Sequence, residues 1–258
     1  AIEAVYPDDP AYDDVLMEHW RIAGDEVREL YYLVPVVENI VNIRAQYGRA
    51  DGLISRGLEL LSPDDARVVT LLNNRSDIHY FRGEYSTAQE IAEAAQARAE
   101  KLVLSQELQI TLANLASIFL AQSDLPSAHS NFQQCLTLAR ARNDVPGITL
   151  CLNGLGIATH MGGDYPAARD YYQQSITLAQ ANGAIRWAGL GLNNMGIAAR
   201  EMGDYPAANA AYQQALALWR ETGEKHGIGT TLNNLGNLAL NMGDYPASED
   251  YNQQALSL

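Results

Sequence analysis

The sequence predicts an all-α fold, a right-handed superhelical solenoid of stacked antiparallel helix pairs. Three observations predict it. The pentapeptide Gly-Asp-Tyr-Pro-Ala returns at residues 163–167, 203–207 and 243–247. The stretches around each return repeat the same longer pattern, and each stretch carries apolar residues at helical spacing. Self-similarity at a period of about 20–50 residues marks units that bury their apolar faces only by stacking on their neighbours.

Taken in chain order, residues 1–31 form a degenerate helical leader that does not fit the repeat cleanly, and residues 32–258 form an array of about six helix pairs, the last cut short. One half of each pair reads GRADGLISRGLELL (48–61), GEYSTAQEIAEAAQARA (83–99), SDLPSAHSNFQQCLTLA (123–139), GDYPAARDYYQQSITLA (163–179), GDYPAANAAYQQALALW (203–219) and GDYPASEDYNQQALSL (243–258). Between these run LNNRSDIHYFR (72–82), LANLASIFLAQ (112–122), LNGLGIATHMG (152–162), LNNMGIAAREM (192–202) and LNNLGNLALNM (232–242).

Leu192, Met195, Ala199 and Met202 fall at spacings of three and four, so they share one stripe of a helix; Ala208, Tyr212 and Ala215 do the same in the helix that follows. Small Gly196 and Ala208 let the pair approach, and Tyr212 fills the remaining volume. Gly203 supplies the left-handed end of the first helix, Asp204 caps the second, and Pro206 is tolerated in its opening turn. Asn182–Gly183 and Thr222–Gly223 make the return turns. The pentapeptide is therefore a corner, repeated because the hairpin is repeated.

Leu235–Gly236, Gly243, Ala208, Tyr212 and Ala215 occupy the spacing of the tetratricopeptide consensus, and residues 32–258 resemble that family, with each unit lengthened by about one helical turn. The pattern weakens upstream, where Arg75 and Ser76 stand in place of the Leu–Gly pair, and the consensus proline after the second helix is missing. The resemblance implies a protein- or peptide-binding module with no catalytic role. In the leader, Glu18, His19, Trp20, Ala23, Gly24 and Asp25 resemble the junction of large bacterial STAND-type signalling ATPases and transcriptional regulators, where an upstream domain hands over to helical repeats. That resemblance implies a sensor arm of a cytoplasmic signal-transduction protein whose ATPase domain lies outside this chain, with Gly24–Asp25 as one more corner.

Composition narrows the partners. A formal net charge of −14 disfavours nucleic acid and anionic membranes, both of which call for a basic surface. Cys135 and Cys151 sit in apolar helical patterns and read as buried reduced thiols. No Gly–Lys pair exists from which to build a phosphate loop. The five histidines show no ligand spacing, and no serine or cysteine has a base beside it. No cofactor, metal or catalytic residue is expected.

The asparagines carry the functional expectation. On the side of the first helices away from the core stripe, which in such a stack lines the concave groove, fall Asn74, Asn114, Asn153, Asn193, Asn194, Asn233, Asn234 and Asn237, with Ile157, Leu190 and Ile197 beside them. Asn73 and Asn241 belong to the same row. Asparagine is a mediocre helix former, so its recurrence calls for a reason. An amide both donates and accepts, and successive amides suit an extended partner backbone in the groove. The competing readings are amides that bond one another, a scaffold that self-associates end to end through the last hairpin, and a small-molecule binder in the groove.

Overall fold

The computed structural model describes residues 10–41 and 46–258; the first nine residues of the leader lie outside them. Among the described residues, thirteen α-helices follow a short 3-10 turn at Pro10–Tyr12. They are α1 (Asp13–Ala23), α2 (Glu26–Asn39), α3 (Tyr47–Leu60), α4 (Arg67–Phe81), α5 (Tyr85–Lys101), α6 (Ser105–Ala121), α7 (Leu125–Ala141), α8 (Val145–Met161), α9 (Tyr165–Ala181), α10 (Ile185–Glu201), α11 (Tyr205–Thr222), α12 (Lys225–Asn241) and α13 (Tyr245–Leu256). No strand occurs among the described residues. The chain divides into two compact units, Ala1–Gln122 and Ser123–Leu258.

Within each unit every helix packs against the next, and alternate helices also touch: α2 with α4 and α4 with α6 in the first unit, α8 with α10 and α10 with α12 in the second. This is the all-α stack of adjacent pairs that the period predicts. The corners follow the expected chemistry. At Gly203, φ is 77°, the Asp204 N–H donates to the Ala199 carbonyl at 2.9 Å, and the Asp204 carboxylate accepts from the Ala207 N–H at 3.1 Å. Such a cap stabilises by about 1 kcal/mol. In the leader, Gly24 adopts φ 73° and Asp25 caps the Arg28 N–H. Arg28 also stacks over the Trp20 ring at 4.2 Å, so the residues of that resemblance form a corner of their own.

The first unit buries Leu33, Val37, Ile54, Leu71 and Ile78 in its N-terminal part, then changes to small residues: Ala88 and Ala92 of α5 pack on Leu115 and Ile118 of α6. Glu29 is fully buried there and held by a two-pronged pair of 3.0 Å hydrogen bonds from Arg56. The second unit is built on aromatic rings. Tyr172 and Tyr212 are buried in successive pairs, and a Cβ at Gly156 or Gly196 would lie 2.4–2.6 Å from the nearest atoms of their rings. Trp219 is clasped between Gly189 and Gly227 in the same way.

The cysteines depart from expectation. Cys135 of α7 and Cys151 of α8 are buried as predicted, but they face one another and are joined as a disulfide, with Cα atoms 6.4 Å apart. Helical periodicity places each thiol on an apolar stripe; which stripe meets which is settled only by the packing of the two helices. No helix among the described residues is long and apolar enough to cross a membrane.

Candidate functional site

The asparagines do lie on the first helices, and the structure divides them into two kinds. Some bond across repeats. The Asn194 amide donates to Asn153 Oδ1 at 3.1 Å, and the Asn234 amide donates to Asn193 Oδ1 at 2.9 Å. Each donor stands 41 residues after its acceptor. A threonine joins at 38: Thr111 donates to Asn73 Oδ1 at 2.9 Å, and Thr231 to Asn193 Oδ1 at 3.5 Å. Asn73, Asn153 and Asn193 are accordingly buried. Burying an amide is tolerable only when it is hydrogen-bonded, and the following repeat supplies the partner.

Others remain open. Asn233 and Asn237 are exposed, and neither side chain makes a hydrogen bond among the described residues. Asn233 occupies the position of Asn193 one repeat later. Asn114 is half-buried, and its Nδ2 has no partner; it stands 41 residues after Asn73, whose acceptor is already taken by Thr111. Asn74 donates to the Thr70 carbonyl at 2.9 Å. Ile157, Leu190 and Ile197 are half-buried beside these amides.

A cavity opens on the amide-bearing helices in each unit. In the second unit Leu190, Asn193 and Thr231 line a cleft of about 110 Å³ with Arg186, Trp219, Glu224 and His226. Its charges are mixed and its floor is partly aromatic. In the first unit Asn73, Asn74, Thr70 and Ile110 line a cavity of about 250 Å³ with Gln106 and three carboxylates: Glu38 of α2, Asp77 of α4 and Glu107 of α6. No basic residue lines it. Burial pushes the Asp77 carboxyl up to about 7 and raises that of Glu38 as well, because a carboxylate withdrawn from water without a cation beside it favours its neutral form.

Sequence reasoning passes over Asp77, Glu38 and Glu107, and over Arg186, Glu224 and His226. One signal was present. In the 40-residue register Asp77 stands where Ile157 and Ile197 stand in later repeats, so a charge replaces an apolar wall. His160 lies elsewhere on α8, with its Nε2 buried and unpaired and its pKa lowered chiefly by burial. Among the described residues no cluster of His, Cys, Asp or Glu is placed to hold a metal ion. The arrangement offers hydrogen bonds, apolar contact and negative charge, which are the means of recognition.

Comparison with known proteins agrees with this architecture. No curated protein matches the chain in sequence. Among solved structures, a Rap protein complexed with Competence and Sporulation Factor superposes with a TM-score of 0.70 at 13% identity, over 99% of this chain and 81% of that one. Aspartyl phosphate phosphatase F from Bacillus subtilis gives 0.68 at 12% identity, over 95% and 74%. BtubC from P. vanneervenii gives 0.63 at 16%, over 88% and 90%. At such identities the likeness is one of fold. The family pattern described as tetratricopeptide repeat matches residues 107–181 and 188–258, more than half of the sequence, and the chain belongs to the tetratricopeptide repeat family.

Proposed function

We propose that this chain is a non-catalytic binding module that holds an extended protein segment along the amide-bearing face of its first helices. The observation that carries the reading is the coincidence, in both units, of unspent amide groups with a cavity lined by the same helices. Those helices present donors and acceptors at the spacing of stacked repeats, with half-buried Ile157, Leu190 and Ile197 between them. A fold of this kind is found with a bound factor in the solved Rap protein complex, which lends the reading support by analogy.

Because Asn194 and Asn234 also tie repeats together, the informative variant removes the free amides. Asn233→Ala with Asn237→Ala is expected to reduce capture of the partner by the purified protein while leaving its thermal midpoint in place. Undiminished capture would count against the groove.

The wider setting we infer is the sensor arm of a cytoplasmic bacterial signalling protein of the STAND class, supported by the corner at Gly24–Asp25 with Trp20 and His19 before it. In a parent protein carrying an ATPase domain, deleting residues 48–258 is then expected to alter nucleotide turnover; turnover indifferent to the deletion would rule this setting out. A second reading, self-assembly, is favoured by exposed Leu240 on α12, Met242 in the corner after it, and Tyr245 and Leu256 on α13. Light scattering over a concentration series separates it from a monomeric binder.

A further inference from the structure

We infer that the cavity of the first unit receives a guanidinium, the arginine side chain of the bound segment. This rests on the groove reading above and adds the chemistry of one residue of the partner. Glu38, Asp77 and Glu107 reach the cavity from three different helices, and neither Glu38 nor Asp77 has a hydrogen-bond or ion-pair partner among the described residues. The amides of Asn73 and Asn74 line the same space while only 4% and 7% exposed. Each uses half of its capacity on the protein: Asn73 through Oδ1, Asn74 through Nδ2. The other half has no partner among the described residues.

Glu38 is exposed and Asp77 and Glu107 are half-buried; polar groups partly withdrawn from water and short of partners favour a complementary ligand, and here acceptors predominate. The ligand that answers them is a donor with positive charge. A metal ion is disfavoured, since no three of the carboxylates converge closely enough to hold one. A planar cation with five N–H groups spans acceptors on separate walls, and its stem packs on Ile110, which is 45% exposed at the rim. A chain of net charge −14 also draws cationic segments toward it.

Asp77 gives the site a pH dependence. The groups facing it are Glu38 from α2, Glu107 from α6 and Tyr80 on its own helix, with Tyr85 of α5 beside Tyr80. All are acidic or neutral, so none holds its carboxylate ionised. With Asp77 titrating near 7, the cavity is more negative at pH 8 than at pH 6.

The test uses the full chain and two acetylated, amidated peptides, Gly-Gly-Arg-Gly-Gly and the same peptide with citrulline, which keeps the shape and loses the charge. By calorimetry at pH 8 the citrulline peptide is expected to bind about tenfold more weakly. The arginine peptide should weaken between pH 8 and pH 6, and Asp77→Asn should abolish both differences. Glu38→Gln, a change near the rim, should weaken the arginine peptide and spare the citrulline one. Equal binding of the two peptides, or full arginine affinity in both variants, overturns the inference and leaves the groove standing. Binding of neither peptide also overturns it, and the groove is then judged by the Asn233 and Asn237 variants alone.

Discussion

The two units solve one packing problem in opposite ways. Where α10 meets α11, the first helix contributes Gly196 and the second contributes Tyr212; where α4 meets α5, the same register positions hold Ser76 and Ala92. Ser76 donates to the Ala88 carbonyl at 2.8 Å, so the first unit closes the gap with two small side chains and a hydrogen bond. The second closes it with a ring pressed onto bare backbone. Glycine with tyrosine carries more volume than serine with alanine, so close packing is met by a different pairing in each unit and not by two residues of equal sum.

The largest expected effect breaks the aromatic version. Tyr212→Ala removes a fully buried ring and should cost about 3–5 kcal/mol in urea unfolding, whereas Ala92→Gly should cost about 1 kcal/mol. Equal losses would show that the two contacts are not alternatives. Next comes Gly196→Ala, whose new methyl would meet Tyr212 ring atoms at 2.5–2.9 Å. About 1–3 kcal/mol should be lost, and combining it with Tyr212→Ala should recover part of the loss.

The corners differ too. Six corners of the repeats place glycine in the left-handed region, but Val103 occupies it at φ 57° and is 85% exposed. A β-branched residue is strained there, so Val103→Gly should raise stability by about 1 kcal/mol. Lower stability would mean that the valine makes contacts that outweigh its backbone.

The last effect is a slope. An Asp whose folded pKa is raised favours the folded state at low pH, and that contribution is lost as pH rises from its unfolded value near 4 toward about 7. The difference in thermal midpoint between Asp77→Asn and the parent chain should therefore grow from pH 4 to pH 8 in favour of the variant. A flat difference would show that Asp77 is ionised without penalty.

Much of this was legible in the residues. Gly203, Asp204 and Pro206 announce a corner because each answers a local demand of backbone geometry, and such demands leave a mark at fixed spacing. The Gly196–Tyr212 contact was legible for the same reason. The cavity of the first unit was not, because Glu38, Asp77 and Glu107 come from three helices and belong to no common motif. Nor was the fate of Asn153 and Asn193. The row of amides was visible, but whether an amide turns to the next helix or to an open cavity depends on residues 38 and 41 positions away. The disulfide escaped in the same manner.

Those two offsets have a consequence for how the protein changes length. Because the Asn-to-Asn bonds reach forward by one repeat and one residue, any block of one full period can be gained or lost with every bond re-formed by the new neighbour. An extra copy of residues 163–202 placed after Met202 should be accepted as a longer stack, while a shorter insert within α10 would put the amides of Asn193 and Asn234 out of step. Growth by whole modules is thus the easy path for this architecture, and drift by single residues inside the amide-bearing helices is the forbidden one.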